Sequence, residues 1–387
     1  MQRIAGMIVL FFGLFAAPTF AQRFVVFPQF ASGQGWTSDL YFTNQGLSDV
    51  FDITIRFYNN SGEVQAVPTS LGTGSSFLID LAAGATQTIQ LTSSVSFLEG
   101  YIVVEYPSAV NPIRATEVYR YEQGGVVQVE VGVPQQEFAN HFSFPVEINS
   151  SEGIRTAIAL VNPAEYNPGS PVSQTVILNL IGTNGTIQST VKVPLPSGQH
   201  LADYLDETGF FEDLDNFVGS LSISSPLGIG VLALRQDNQA FGAIATDYGP
   251  ILAPFALSSV VTPLPEPNDT PAQAPSIVNS IVLSGYMSSS SDVDSVSYMG
   301  SSGEVISIIC RTTGIGSHMD PVLQVYDSAL NLIAENDDNG LSPALRPSSE
   351  SFIEMELPAD DTYYFVVYDY YGNYGPDINY ILHVKLP

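Results

Sequence analysis

The sequence predicts an all-β protein of three β-sandwich domains that follow a cleaved signal peptide. Short segments alternate hydrophobic and polar residues with a period of two, as in ITIRF at 53–57, and this period buries one face of a strand. Turn-forming residues such as Asn60-Ser61-Gly62 and Asn184-Gly185 separate the segments. A helical period is missing apart from the acidic segment 201–216. Many short strands without intervening helices are typical of antiparallel sandwiches.

The N-terminal residues 1–21 have the pattern of a secretory signal peptide. Arg3 precedes the hydrophobic run 8–15, and small residues precede Gln22. The alternative is an N-terminal anchor helix, but the run is shorter than the roughly 20 residues that cross a bilayer. We therefore expect cleavage and a secreted, extracellular or cell-surface location. No other segment is long and hydrophobic enough to predict a membrane span.

Composition excludes several classes of protein. The chain has 11 Lys+Arg against 39 Asp+Glu, a net charge of −28, so we expect it to repel nucleic acids and anionic membranes. Hydrophobic residues make up 45% of the chain, which is enough for folded cores. The single cysteine, Cys310, excludes a disulfide framework, and its alternating surroundings predict a buried apolar position.

Two consecutive stretches of the chain repeat each other. We call residues 22–138 module 1 and residues 139–249 module 2. Segments of module 1 recur in module 2 in the same order: FPQF at 27–30 and FPVE at 144–147, GWTSDLYFTNQ from Gly35 and GIRTAIALVNP from Gly153, ITIRFYNNSGEVQ from Ile53 and VILNLIGTNGTIQ from Val176, IDLAAGATQTIQL from Ile79 and VPLPSGQHLADYL from Val193. This pattern indicates duplication of a β-sandwich module.

A proline-rich stretch, 250–265, follows the two modules. Proline cannot donate a ladder hydrogen bond, so we predict a stiff linker here. Strand alternation resumes in residues 266–387, which we call the C-terminal domain. Ile306, Ile308 and Cys310 alternate with more polar neighbours, as do Ile353 and Met355.

The C-terminal domain resembles the bacterial pre-peptidase C-terminal domain. The shared motifs are EPNDTPAQA at its start, GYMSSSSDVDSVSY, MDPVLQVYDSALNLIAENDDNG and DTYYFVVYDYYGNYGPDINYILHV, in this order. The resemblance implies a non-catalytic, jelly-roll-like β-sandwich of exported proteins that is often removed on maturation. It also implies similarity to the collagen-binding domains of clostridial collagenases, in which the acidic opening segment binds calcium.

Five residues are candidate calcium ligands by this resemblance: Glu266, Asn268, Asp269, Asp292 and Asp294. Calcium prefers carboxylate and carbonyl oxygens, and an extended segment would project Glu266 and Asn268 to the same side. Leu264 stands where the collagenase-type domains carry a further acid, and this missing charge lowers the expected affinity or leaves the site empty. The alternative is a linker whose Asn and Asp residues make Asx-turns.

Two other motifs of the C-terminal domain have binding and structural interpretations. AENDDNG at 334–340 lacks the spacing of an EF-hand loop, so we predict a β-turn. Tyr368, Tyr370, Tyr371 and Tyr374 lie at a predicted strand end, where exposed tyrosines would suit binding to an extracellular polymer, either polysaccharide or protein. The alternative is that they pack at a corner of the sandwich.

No catalytic motif is recognisable in the sequence. The four histidines lack the spacing of zinc ligands, and we expect each at the surface or in a turn. No G-x-S-x-G motif occurs. A glycosidase-type pair of carboxylates is harder to exclude, but the acids of segment 201–216 fall on a connection between strands of the repeat, where we expect them to be solvated.

The sequence therefore predicts a non-catalytic binding or structural protein, with calcium as a stabilising ion. The two modules resemble tandem β-sandwich repeats of exported bacterial proteins, and that resemblance implies no activity. One alternative is an extracellular hydrolase of unrecognised type with a C-terminal accessory domain. Another is that the C-terminal domain serves as a secretion or maturation tag.

Overall fold

A computed structural model describes residues 23–92, 96–107, 112–163, 173–212, 214–237, 240–244, 247–248, 261–312, 315, 317–337 and 350–387. Every regular element in these ranges is a β-strand, which confirms the all-β prediction. The predicted signal peptide, residues 250–260 of the predicted linker and residues 338–340 of the AENDDNG motif lie outside the described residues. In segment 201–216, the described residues 201–212 form the end of a strand followed by turns instead of a helix.

Module 1 is a sandwich of two four-stranded antiparallel sheets and a small hairpin. The sheets have the strand orders β1-β8-β3-β6 and β10-β9-β2-β7, and the hairpin is β4-β5. The strands are β1 (Arg23–Ser32), β2 (Trp36–Asn44), β3 (Val50–Tyr58), β4 (Val67–Thr69), β5 (Gly72–Gly74), β6 (Ser76–Leu81), β7 (Thr86–Gln90), β8 (Leu98–Tyr106), β9 (Ile113–Gln123) and β10 (Val126–Pro134).

Module 2 is a single eight-stranded sheet that is joined through one long strand, β16. The amino-terminal half of β16 pairs with β11 and β13, and its carboxy-terminal half pairs with β12 and β17. The strands are β11 (Ala139–Asn149), β12 (Ile154–Val161), β13 (Gln174–Gly182), β14 (Ile187–Leu195), β15 (His200–Tyr204), β16 (Asn216–Asp237), β17 (Ala240–Ala243) and β18 (Asp247–Tyr248).

The two modules have the same strand order when they are aligned by the sequence repeat. The path β1-β8-β3-β6 corresponds to β11, the first half of β16, β13 and β14. The path β10-β9-β2-β7 corresponds to β17, the second half of β16, β12 and β15. The continuous strand β16 thus takes the place of β8 and β9, which are separate strands in module 1.

The C-terminal domain packs two five-stranded sheets, β19-β21-β28-β23-β26 and β20-β22-β27-β24-β25. One core joins residues of both sheets, among them Ile308, Cys310 and Phe365, all with no exposed surface. The strands are β19 (Val261–Pro263), β20 (Ser276–Ile277), β21 (Ile281–Tyr286), β22 (Asp294–Gly300), β23 (Val305–Arg311), β24 (Pro321–Tyr326), β25 (Leu332–Asn336), β26 (Ser351–Glu356), β27 (Asp361–Asp369) and β28 (Asn379–Lys385).

The end of the predicted linker 250–265 differs from the prediction. Residues Val261–Pro263 form strand β19, which pairs in parallel with β21. Leu264 then donates its backbone N–H to Ser284 O at 2.8 Å and is buried in the core. Pro263 is tolerated because β19 is an edge strand, where a missing N–H leaves no partner unsatisfied.

Module 1 packs against module 2 through hydrophobic residues and a close backbone contact. Val26, Tyr101 and Val161 belong to one buried cluster across the two modules. The turn glycines Gly62 and Gly198 both have positive φ, and a Cβ built on Gly62 would lie 2.5 Å from Gly198 O. Only glycine permits this approach, because any side chain at Gly62 would overlap the backbone of module 2.

Module 2 contacts the C-terminal domain through a polar interface. Buried His141 on β11 lies with its Nε2 2.6 Å from Phe352 O, and Asn179 donates to Glu354 Oε1 at 3.0 Å. At the rim Lys192 Nζ is 3.2 Å from Glu356. The expectation that every histidine lies at the surface or in a turn is wrong, because His141, His200 and His383 are buried by contacts with distant strands, while His318 is exposed.

Glu117 on β9 is a buried carboxyl that the alternating pattern did not reveal. Both of its carboxyl oxygens are buried without a hydrogen-bond partner. The nearby Ser38 hydroxyl donates to Ala31 O at 3.0 Å, and the Tyr119 hydroxyl donates to Gln29 O. Burial raises the pKa of Glu117 to about 8, against a weaker opposing effect of Ser38 and Tyr119. Between pH 4.5 and about 8, the Glu117 carboxyl of the folded protein therefore keeps a proton that the unfolded chain releases.

We predict that Glu117→Gln removes a pH-dependent loss of stability. Because the folded-state pKa is raised, the contribution of Glu117 is fully present below pH 4.5 and is lost as pH rises towards 8. Between these values, wild type should lose about 1.4 kcal/mol per pH unit relative to the variant. Urea unfolding midpoints of both proteins across this range measure the difference.

The exposed Glu122 of the same strand provides the control. Its substitution Glu122→Gln should leave a pH-independent difference from wild type. If the difference in stability between wild type and Glu117→Gln is also independent of pH, Glu117 is ionised in the folded protein over this pH range.

Candidate metal centre and tyrosine loop

The opening segment of the C-terminal domain is a compact turn, in contrast to the extended form expected from its prolines. The Glu266–Pro267 peptide is cis. Asn268 has no exposed surface, and its side chain donates to Pro265 O at 3.2 Å and accepts from Ser295 N at 3.3 Å. Glu266 is exposed. Asn268 therefore points into the protein and links the turn to β22 through its hydrogen bond with Ser295. Glu266 faces outward.

The second half of the centre comes from the loop before β22. Asp292 donates its backbone N–H to Ser289 O at 3.2 Å, and its side chain accepts from Ser288 N. Two residues further on, Asp294 begins strand β22 and is 1% exposed. Asp292 and Asp294 are thus both buried, Asp292 in the loop before β22 and Asp294 at the first position of the strand.

Glu266, Asp269 and Asp292 form a carboxylate cluster. One carboxylate oxygen from each residue lies within 4.8 Å of the others. Two oxygens bound to the same calcium ion at 2.3–2.6 Å can be at most about 5 Å apart, so the spacing suits a shared cation. Within the described ranges this is the group of acids with such a spacing. The five residues singled out in the sequence thus lie together, with three at the cluster, Asn268 behind it and Asp294 beneath it.

Neighbouring carboxyls contribute to a raised pKa at two members of the cluster, Glu266 and Asp269. Burial, followed by the charges of Asp292 and Asp269, raises the pKa of Glu266. A hydrogen bond shared with Asp292 is the largest cause that raises the pKa of Asp269. A shared proton between two carboxyls is what closely spaced acids adopt when no cation is present to neutralise them.

Asp294 is the most unusual acid of the group. Its two carboxyl oxygens are buried without a hydrogen-bond partner, as is the hydroxyl of neighbouring Tyr380. Burial raises the pKa of Asp294 to about 7, and the charges of Asp292 and Glu266 act in the same direction. Tyr380 and Asn268 oppose this rise, but neither side chain completes a hydrogen bond of normal geometry with the carboxyl. An ionised Asp294 at this position therefore requires a nearby positive charge.

Leu264 has no part in the cluster. It points into the hydrophobic core, so the position at which the collagenase-type domains carry an acid is used here for packing. The remaining acids could still supply several oxygens to one ion.

The predicted tyrosine site divides into an exposed loop and a half-buried residue. Tyr370, Tyr371 and Tyr374 are 58%, 73% and 62% exposed. Tyr368 is half-buried, its hydroxyl lies 3.5 Å from Gln324 Nε2, and burial raises its pKa to about 12. Three of the four tyrosines therefore share an accessible surface, and Tyr368 packs on the sheet.

Asp369 holds the tyrosine loop in shape. Its carboxylate accepts hydrogen bonds from the backbone N–H groups of Tyr371 at 3.1 Å, Asn373 at 2.7 Å and Asp320 at 2.8 Å. Tyr370 and Tyr371 meet edge to face with ring centroids 5.0 Å apart. A fixed loop with exposed rings loses little entropy when it binds a partner.

The tyrosine loop lies directly against the loop that carries Asp292. Gly375 N donates to Met287 O at 2.8 Å, and Met287 N donates to Ile378 O at 2.9 Å. A Cβ built on Gly372 would lie 3.4 Å from Ser290 O. A cavity of about 420 Å³ beside the loop is lined by His318, Tyr374 and Asp377, among others. The carboxylate cluster and the tyrosine loop are thus neighbours, which the sequence order did not reveal.

Sequence reasoning missed a second cavity, of about 300 Å³, between modules 1 and 2. The single tryptophan, Trp36, lines it, together with residues of both modules. The lone tryptophan was a signal in the sequence, but its position could not be connected with β15 and β16 of module 2.

Comparisons with known proteins give little information about this chain. No protein-family model matches it, and no curated protein matches it. Among solved structures, it is similar to PliG of Aeromonas hydrophila, a periplasmic lysozyme inhibitor of g-type lysozyme, at 16% identity over 33% of this chain and 97% of that chain, with a TM-score of 0.22. A TM-score this low does not indicate a shared fold, and no function follows from it. The described part of the chain contains no helix with the length and hydropathy that a membrane span requires.

We predict that Asp294→Asn stabilises the protein in the presence of a chelator near pH 8. The raised pKa means that the contribution of Asp294 is present below pH 3.8 and is lost as pH rises through about 7. Removing the ionisable group should remove this loss, which amounts to about 1.4 kcal/mol per pH unit between the two pKa values. Thermal melts at acidic and alkaline pH measure the effect.

The matched control is Asp377→Asn, which changes an exposed aspartate of the same domain. Its melting temperature should follow wild type at both pH values. If Asp294→Asn melts below wild type at alkaline pH in chelator, Asp294 is stabilising in its ionised form without a cation.

Proposed function

We propose that this chain is a non-catalytic, exported or surface-associated binding protein with a calcium-stabilised C-terminal domain of the pre-peptidase C-terminal type. The single observation that carries the proposal is the buried, unpartnered Asp294 beneath the carboxylates of Glu266, Asp269 and Asp292. A divalent cation would neutralise the repulsion of these acids and provide the positive charge that an ionised Asp294 lacks.

Calcium fits the oxygen donors better than the soft metals do. Carboxylate oxygens are hard ligands, and the cluster described here includes neither a histidine nor a cysteine. Backbone carbonyls of the two flanking loops and water would complete the coordination, as is common in calcium sites.

The ion would also support the tyrosine loop. Holding Asp292 in place would fix residues 287–292, on which the tyrosine loop rests through Met287 and Ser290. We propose that Tyr370, Tyr371 and Tyr374 bind an extracellular polymer, because exposed aromatic rings bury much area at low entropic cost. Tyr368 is less suited to this role because it is half-buried.

The alternative of an extracellular hydrolase has less support. An enzyme site needs a concavity with converging polar groups. The cavity between the modules has a mostly hydrophobic lining, and Arg155 pairs with Asp206 at 2.9 Å, which accounts for one acid of segment 201–216.

We predict that calcium raises the melting temperature of the purified protein and that Asp269→Asn and Asp292→Asn abolish the rise. Binding to the folded state alone stabilises it by about 2.7 kcal/mol at a calcium concentration 100 times the Kd. Calorimetric titration should show one site. Magnesium should stabilise less, because it requires a tighter octahedral shell.

Asp377→Asn again serves as the control and should keep the calcium response of wild type. An identical melt with calcium and with chelator in the wild-type protein would remove the calcium assignment.

We predict that Tyr371→Ala, and the triple substitution of Tyr370, Tyr371 and Tyr374 to alanine, weaken binding to an insoluble polymer. Loss of an exposed aromatic anchor typically costs more than about 1 kcal/mol, so each should lower affinity severalfold or more. Cosedimentation with collagen, cellulose, chitin and peptidoglycan, with calcium and with chelator, measures binding.

Leu330→Ala removes another exposed hydrophobic side chain of the same domain and should leave binding unchanged. Equal binding by wild type and the triple variant to a polymer would place the binding surface elsewhere, and no binding to any of the four would count against the polymer class.

A further inference from the structure

The cavity between modules 1 and 2 is built by both modules together. Module 1 contributes residues of β1, β2, β9 and β10 and the turn before β8, and module 2 contributes residues of β12, β15 and β16. Its volume of about 300 Å³ is about ten times the space of a water molecule. The cavity is therefore large enough to hold a small organic molecule.

The lining is hydrophobic and aromatic. Trp36, Phe97, Tyr119 and Tyr204 contribute four rings, and buried aliphatic residues such as Leu232 complete the walls. A hydrophobic cavity of this size, open to solvent at one side, is typical of a site for a small organic molecule.

The negative charge at the cavity indicates that a bound molecule would be cationic. Among the residues that line the cavity, Asp203 alone carries a charge, and it is exposed. The lining residues include neither lysine nor arginine. Gln29 adds a polar acceptor, since its buried Oε1 lacks a hydrogen-bond partner. Arg155 lies 3.8 Å from the centroid of the Tyr204 ring, but Asp206 and Glu207 pair with it.

We propose that this cavity binds a small hydrophobic or aromatic amine, with its ammonium group near Asp203 and its apolar part among the aromatic rings. Aromatic faces attract cations, and the net charge of −28 favours cationic over anionic ligands. The ligand would contact both modules and so stabilise their association. This site goes beyond the proposed calcium and polymer binding and does not depend on the C-terminal domain.

Trp36 makes the proposal directly testable, because it is the one tryptophan of the chain and lines the cavity. The probes are phenethylamine, phenethyl alcohol and phenylacetate, which have similar shape and carry positive, zero and negative charge. Phenethylamine should change the Trp36 emission saturably and bind more tightly than the alcohol, with phenylacetate weakest. An unchanged emission with all three, or phenylacetate binding as tightly as phenethylamine, would overturn the proposal.

Two variants locate the bound amine. Ala202 is exposed at the cavity, so Ala202→Phe should block entry with little risk to folding, and binding of phenethylamine should be lost. Asp203→Asn should weaken phenethylamine about two- to fivefold, the effect of one partly exposed charge pair, and leave phenethyl alcohol unchanged.

The matched control is Ala82→Phe, an exposed alanine in a turn of module 1, which should bind phenethylamine like wild type. Retained binding in Ala202→Phe would show that the probe binds outside the cavity, and equal loss of amine and alcohol in Asp203→Asn would show that Asp203 does not contact the ammonium group. Either result contradicts the assignment.

Discussion

The burial of module 2 on both faces of its sheet is the constraint on which the arrangement of the molecule depends. An isolated β-sandwich has one core face and one wet face on each sheet. In module 2, strand β13 is buried at nearly every position, and Ser222 and Ser224 of β16 are buried opposite the core. Strand β16 runs through both halves of the sheet, and it contacts both module 1 and strands β25 and β26 of the C-terminal domain.

The two sides of module 2 are covered by different chemistry. Towards module 1 the contact is largely hydrophobic, with Val26, Val131 and Leu232 among its residues. Towards the C-terminal domain it is polar, and the neutral imidazole of His141 fits because burial lowers its pKa to about 4. Polar groups in such an interface must be hydrogen-bonded, so the second interface depends on exact partners such as Phe352 O and Glu354 more than the first does.

Desolvated acids are the common element of the unusual sites in this acidic chain. Glu117 lies inside module 1, and Asp294 lies inside the C-terminal domain, each without hydrogen-bond partners for its carboxyl oxygens. The two carboxyls differ in the groups that surround them. Asp294 adjoins three further carboxylates that a cation could bridge, whereas the largest effect on Glu117 is burial, with Ser38 and Tyr119 as its polar neighbours. The same physical cause, burial of a carboxyl, therefore acts beside a cluster of carboxylates in one domain and on a single carboxyl in the other.

The sequence by itself determined the strands, the repeat and the set of acids, because these are local properties. The period of two placed Ile53, Ile55 and Phe57 in a core, the glycines at 62 and 185 have the positive φ of their turns, and the acids of the EPND and DVD motifs lie together. Tertiary structure alone decided that both faces of the module 2 sheet are buried and which of the histidines are buried. It also decided that Asn268 points inward and that Trp36 lies across a cavity from β15 and β16. Those outcomes depend on contacts between segments far apart in the chain, and hydrophobic periodicity carries no information about which surfaces meet.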